Sequence, residues 1–542
     1  MKNLIFLIFL VLNLSVLAQV AVNTDGSVPD NSAMIDVKST SKGMLVPRMT
    51  AAQRIAIVSP ATGLIVFDTD VNSLFTFAGS AWVQAGTAST WGLSGNAGTN
   101  PANNYIGTSD NTDLIFKRNN NWAGYLGNTN SAFGLNALNA TSFGNYNTAI
   151  GSNTLHSNTL GLQNTAIGAE SLSSNTTGNY NTANGVNALQ FNTTGKNNTA
   201  NGVMSLWNNV VGSDNTANGF KSLVSSTTGD FNTANGSQSL FYNTTGYQNT
   251  ASGTLALQHN TSGYNNCAIG YVSLPSNTTG IDNTSTGVAA LYNNSTGNYN
   301  SANGREALRD NTSDLNTAVG YHASQINNSG FQNTSIGANS LVNNVSGSFN
   351  TALGYNTGPN SAGFVNTTCV GIDATATASN MVRIGNGFVS SIGGQVGWTT
   401  LSDGRFKENI TENVPGLAFI NQLRPVTYRV NRNLINDFTG VNGRKQEQAK
   451  ENTAGSSTYN AEVLSETTTG FIAQEVESAA KKIGYNFSGV DAPKNDKDMY
   501  GLRYDEFVVP LVKAVQEQQT IIENQNLKIE ALLKRIEVLE QK

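Results

Sequence analysis

Charge is scarce in this chain. Only 12% of its 542 residues are Asp, Glu, Lys or Arg, and the formal net charge is −5. That balance gives no basic surface for nucleic acid, and no nucleic-acid partner is expected. Cysteine is nearly absent, with Cys267 and Cys369 the only two. Histidine numbers 3. After the run Leu4–Leu12 no apolar stretch is long enough to cross a bilayer as a helix. The mature chain is therefore expected to have no membrane span.

Glycine, in contrast, numbers 54, and much of it is periodic. One glycine recurs every 17 residues from Gly134 to Gly304. One residue is then lost, and the series resumes at Gly320, Gly337, Gly354 and Gly371. Each closes a motif such as Asn181-Thr182-Ala183-Asn184-Gly185, and leucine usually follows four residues later, as at Leu189, Leu206 and Leu240. A second glycine comes about ten residues after the first, as at Gly178, Gly195 and Gly229. A fixed period in this range means stacked supersecondary units. Seventeen residues are too few for a helical pair or a propeller blade, but they fit one turn of a parallel β-solenoid or β-roll. The expected coil has two short strands and two tight turns. The glycines would supply turn positions with φ > 0, the leucines would point inward, and the Asn and Thr columns would stack into hydrogen-bond ladders. One coil cannot bury its own apolar face, so many copies are required. The pattern resembles, though not in length, the head repeats of trimeric bacterial adhesins, which form β-rolls.

Several features inside the repeat carry no chemistry of their own. About six coils at ~4.8 Å each separate the two cysteines. That distance of roughly 29 Å exceeds the ~7 Å limit for a disulfide. Buried small side chains are the expected reading for both. His156, His259 and His322 fall in different columns without clustered carboxylates. Surface positions are expected for them, with no metal site and no cofactor. Triplets such as Asn175-Thr176-Thr177 match a glycosylation signal, but the repeat generates them automatically.

Outside the repeat, residues 1–18 have the form of a secretory signal peptide. Lys2 gives the positive end, and Val16 and Ala18 fit the positions before a cut. Gln19 is then the expected mature start, and the protein is expected to be secreted or held at the cell surface. Residues 19–90 read as an N-terminal β module. Strands are expected at Met34–Val37, Gly43–Arg48, Gly63–Asp68 and Phe75–Val83, with a helical turn over Thr50–Arg54. This segment resembles the N-terminal region of surface proteins that end in a tail-fibre-type chaperone domain. Residues 91–130 form a Gly- and Asn-rich lead-in, with strand-like runs at Tyr105–Gly107 and Leu114–Phe116. The solenoid is expected over residues 131–392.

Near residue 400 the character changes. The stretch Ser402-Asp403-Gly404-Arg405-Phe406-Lys407 is followed by Leu423-Arg424-Pro425-Val426, by Gly470-Phe471-Ile472-Ala473-Gln474-Glu475-Val476 and by Tyr500-Gly501-Leu502-Arg503-Tyr504. Together these resemble the C-terminal intramolecular chaperone domain of phage endosialidase tailspikes, the S74 peptidase family, over residues 402–542. Phe406 stands where the family usually has leucine, and 431–469 looks like a polar insertion. The resemblance implies an α+β domain that trimerises, templates the preceding β-structure and cuts itself off. It implies a cut between Leu401 and Ser402, with Ser402 as nucleophile and Lys407 as general base. A serine hydroxyl needs a base to take its proton. A lysine acts as one when burial or neighbouring cations such as Arg405 favour its neutral form. Read without the family, Ser402 and Lys407 are better taken as a helix cap and a solvated lysine.

The last segment points to oligomers independently. Val515, Ile522, Ile529 and Ile536 share one heptad position, and Leu511, Gln518, Gln525, Leu532 and Leu539 share the other. Such spacing makes a coiled coil over 508–541. Ile at a with Leu at d points to a dimer. The glutamines at d weaken that rule, and the resemblance implies a homotrimer. Two functions of different class follow. One is a fibrous, trimeric, adhesin-like surface protein with a single-turnover self-cutting chaperone and no activity on external substrates. The other is a glycan-binding or glycan-degrading tailspike with its site on the solenoid. Glycan cleavage would need paired carboxylates, whereas Asp214, Asp230 and Asp282 are scattered in turns.

Overall fold

The computed structural model describes residues 19–85, 105–138, 142–389, 391–440 and 467–541. The expected leader lies outside the described residues, as do much of the lead-in and of the polar insertion. Two compact units divide the chain between Ser109 and Asp110.

In the first unit Thr50 caps the short helix Ala51–Ile55 through a reciprocal capping box with Gln53. Strands Arg48–Met49, Ile65–Asp68, Ser73–Phe77 and Trp82–Gln84 form one sheet in that order. The run expected as one strand over Phe75–Val83 is a hairpin instead. It turns at Gly79, whose φ of +92 suits glycine. Pairing in the Gly43–Arg48 run is confined to its end, and Tyr105–Gly107 forms no strand. Inside, Arg54 bonds the fully buried Asp68 at 2.9 Å and lies over the Phe75 ring.

The second unit opens with a hairpin, Leu114–Arg118 and Asn121–Leu126, that runs antiparallel onto the strand Ser131–Phe133. From there one parallel ladder continues coil by coil to Val382–Ile384. Register is strict, as in Thr182↔Thr199, Ala183↔Ala200 and Asn184↔Asn201. Alternation puts the central alanine inward, fully buried in coil after coil. Opposite it lie the leucines, from Leu138 to Leu308, also fully buried. The fold is thus mainly β, as the repeat implies.

Each coil nevertheless has one strand, not two. Leu189 sits at φ +51 and Asn187, two residues earlier, at φ +59, and the same pair recurs along the stack. Left-handed backbone cannot continue as a strand. Burial of the leucine and a bond from its N–H to the next coil, such as Leu189 to Ser205 at 3.0 Å, offset the strain. Only the last coils form a second ladder, Gly358–Pro359 with Thr375–Ala376.

The two glycine columns also differ. Gly185 has φ +145, and a Cβ there would lie 2.5 Å from the Gly202 carbonyl oxygen. Gly195 is not in that region. It is required because a Cβ would lie 2.3 Å from the Gly212 oxygen and 2.4 Å from Asn192 Oδ1. The expectation that both columns serve positive φ therefore holds for the first alone.

Two buried asparagine ladders flank the apolar columns. In one, Asn181 donates from its backbone N–H and its Nδ2 to Asn164 Oδ1, and its Nδ2 also reaches the Gly195 oxygen. In the other, Asn192 Nδ2 donates to Asn175 Oδ1 at 2.8 Å. Ser226 interrupts this second ladder, leaving the buried Asn209 Oδ1 and Ser226 Oγ without partners. The leucine column is likewise interrupted at Ser324, whose buried hydroxyl has no partner. Cys369 is buried in the alanine column and Cys267 is half-buried in the threonine column. His322 departs from its expected surface position. It is 6% exposed and lies 3.2 Å from Glu306 in the shortened coil, while Arg309 bonds both Glu306 and Asp310.

Beyond the solenoid, Phe419, Val476, Ala479, Ala480, Phe487 and Phe507 form a small core. The helix Val508–Glu540 leaves from it, 33 residues long, with only Pro510 and Ala514 buried. No helix among the described residues is long and apolar enough to cross a membrane.

Candidate functional site

The site is built on one turn. Asp403 caps the 3-10 turn Gly404–Phe406, accepting from the Arg405 N–H at 2.9 Å. The Arg405 guanidinium grips the same carboxylate at 2.6 and 3.0 Å. That side-chain bond, with the backbone one, holds the Asp403 carboxyl below its ordinary value. The turn reverses the chain so that Lys407 returns to Ser402, and Lys407 Nζ lies 2.8 Å from Ser402 Oγ. Serine and lysine, five residues apart, are thus within hydrogen-bond reach. Both are exposed, as is Leu401 on the other side of the expected cut. Val396, Trp398, Leu401, Phe406 and Ile410 are all more than 70% exposed. Five large apolar side chains close to the expected cut are thus left in water within one copy.

The remaining motifs meet around the small core. Arg424 pairs with Glu475 in a two-pronged contact, which joins the Leu423–Val426 motif to the Gly470–Val476 motif. A Cβ at Gly470 would lie 2.3 Å from the Tyr504 hydroxyl, so this glycine admits the tyrosine of the fourth motif. That hydroxyl accepts from the Phe471 N–H at 3.1 Å. Sequence reasoning quoted all four motifs but missed these contacts, because no spacing rule relates residues 51 apart.

Along the last helix the heptad positions are uncovered within one copy. Leu511, Val515, Ile522, Ile529, Leu532, Ile536 and Leu539 are 42–70% exposed. Gln518 and Gln525 lie on the same helix. Near its start, Glu517 reaches back to accept the Leu417 N–H at 2.8 Å, which ties the helix to the small core.

Residues 402–485 match the family model described as chaperone of endosialidase, peptidase S74. Residues 21–101 match one described as a phage tail like trimerisation region. No curated protein matches the chain. The N-terminal match adds a trimerisation description to the β module, which by sequence resembles the start of surface proteins with a tail-fibre-type chaperone domain. The chain carries a domain of this assembling kind near each end, with the solenoid between them, which fits a homotrimer of phage tail-fibre-like type. Families of this kind suggest an extracellular or surface protein.

Proposed function

We propose that this protein is an exported, adhesin-like trimeric fibre whose C-terminal domain assembles three copies and then severs itself before Ser402. The observation that carries the cut is the 2.8 Å approach of Lys407 Nζ to Ser402 Oγ, next to the S74 match. Ser402 Oγ adds to the Leu401 carbonyl carbon as its proton passes to the Lys407 amine. Collapse of the adduct breaks the C–N bond, and Lys407 returns the proton to the departing Ser402 amine. Water then hydrolyses the ester, leaving a Leu401 carboxylate and a free Ser402 hydroxyl. A lysine serves as base only when shielded from water or set beside another cation. One copy leaves Lys407 exposed. Packing of a second copy over the apolar segment 396–410 supplies the shield and ties the cut to assembly. Export rests on the leader-like residues 1–18, and N-terminal sequencing of secreted protein beginning at Gln19 is the result expected.

The tailspike alternative has less behind it. Asp214 accepts from Asn197, Asp230 from the Ser213 N–H and Asp282 from Asn265, so each carboxylate serves contact between coils. The test of the cut is a denaturing gel with intact mass. Wild type should yield a fragment beginning at Ser402, Ser402→Ala should stay whole, and Lys407→Ala should be cut slowly or not at all. A Ser402 fragment that persists in Ser402→Ala would assign the cut to another protease.

A further inference from the structure

The two ends of the solenoid are closed differently. At the first coil the hairpin 114–126 lies antiparallel on Ser131–Phe133 and satisfies its outer edge. At the other end, among the described residues, Val382–Ile384 pairs with Thr368–Val370 and no further coil follows. An uncovered edge exposes unpaired backbone groups and invites association, and solenoids need a polar terminal cap.

Thr377 lies on the turning side of this last coil. The residue above it, Asn360, donates its N–H to the Ala376 carbonyl, so each coil passes one bond to the coil below. Thr377 has no coil below. Its N–H faces Met381 Sδ at 3.5 Å. Its hydroxyl donates to Asp498 Oδ1 at 2.5 Å, and its carbonyl accepts from Asn495 Nδ2 at 3.0 Å. Both acceptor and donor come from the C-terminal domain, more than a hundred residues away in sequence. Thr377 is fully buried, and Asp498 is 7% exposed. The loop is braced for this contact. Asp498 also accepts from the N–H groups of Lys494 and Met499, and Asn495 Oδ1 accepts from the Lys497 N–H.

We infer that the loop Lys494–Met499 of the C-terminal domain is the end cap of the β-solenoid, with the last coil as its partner surface. Asn495 takes the place of a further coil at the Thr377 carbonyl and Asp498 holds its hydroxyl, while the Thr377 N–H stays with Met381 of the same coil. The contact is non-covalent and lies beyond the bond before Ser402, so a cut there does not itself break it. The inference stands on this contact alone and does not require the cut.

Hydrogen exchange on the uncut Ser402→Ala full-length chain tests it, comparing Asp498 with Asp498→Ala. Exchange at Thr375–Thr377 and Val382–Ile384 should rise by about tenfold, as loss of charge-assisted hydrogen bonds implies. Coils at 182–269 should keep their protection. Faster exchange confined to 494–499, with the last coil unchanged, would overturn the cap. If Asp498→Ala prevents folding, Asn495→Ala decides by the same readout, because it removes the bonds to the Thr377 carbonyl and the Lys497 N–H and leaves the carboxylate in place.

Discussion

The solenoid and the C-terminal helix solve opposite problems with almost opposite chemistry. In the solenoid most coils hand their polar groups to the next, so a nearly uncharged stretch buries its asparagines with few hydrogen bonds lost, Asn209 Oδ1 above Ser226 being one. The helix Val508–Glu540 is rich in charge, yet it leaves Ile522, Ile529 and Ile536 in water. One region is complete along its own axis within a single chain. The other leaves its apolar side chains uncovered within one chain, and the proposed trimer would cover them. Assembly is thus the business of the ends, and length is the business of the middle.

The largest effect expected is on the inward leucines. Leu240→Asp places a charge among fully buried side chains and should cost on the order of 5 kcal/mol. A thermal midpoint that does not move would show that the leucine column does not face the core. Next comes the first glycine column. Gly185→Ala forces a Cβ to within 2.5 Å of the Gly202 oxygen at φ +145, and a loss of about 1–3 kcal/mol is expected in chemical denaturation.

The cap lies between the two regions, and it titrates. Burial pushes the Asp498 carboxyl up, but the bonds from Thr377 and the Lys494 and Met499 N–H groups, with the Arg383 charge, outweigh it and hold it below 3.8. A carboxyl held low stabilises above its unfolded value and loses that contribution as pH falls through the folded one. The gap in thermal midpoint between wild type and Asp498→Ala should therefore be full at pH 6 and shrink below pH 4. A gap that stays constant down to pH 3 would remove the carboxylate from the account. The smallest change expected is a gain. Ser226→Asn restores the missing rung beneath Asn209 and should stabilise by about 1 kcal/mol. A loss of stability would mean that the ladder is bent at that coil.

Periodicity made the solenoid legible, since the glycine, leucine and asparagine columns share one phase. The local conformation of the coil was not. Leucine at φ +51 contradicts its own preference and is tolerated only because neighbouring coils over-determine it. The second glycine column exists for close approach between coils, which one coil in isolation does not reveal. His322 looked like a surface residue because its partner Glu306 sits on the coil above. At the candidate site, motif order located Ser402 and Lys407, but the pairings Arg424–Glu475 and Thr377–Asp498 come from long-range packing with no local sequence signal.

The contrast between a self-sufficient middle and incomplete ends rests on how many copies the full chain forms. Native mass spectrometry of the full-length Ser402→Ala protein, beside Ser402→Ala with Ile529→Asp, measures it directly. Three copies for the first, and a lower state with an intact solenoid spectrum for the second, are the results predicted. A single copy for the first protein, stable and folded at micromolar concentration, would contradict the account.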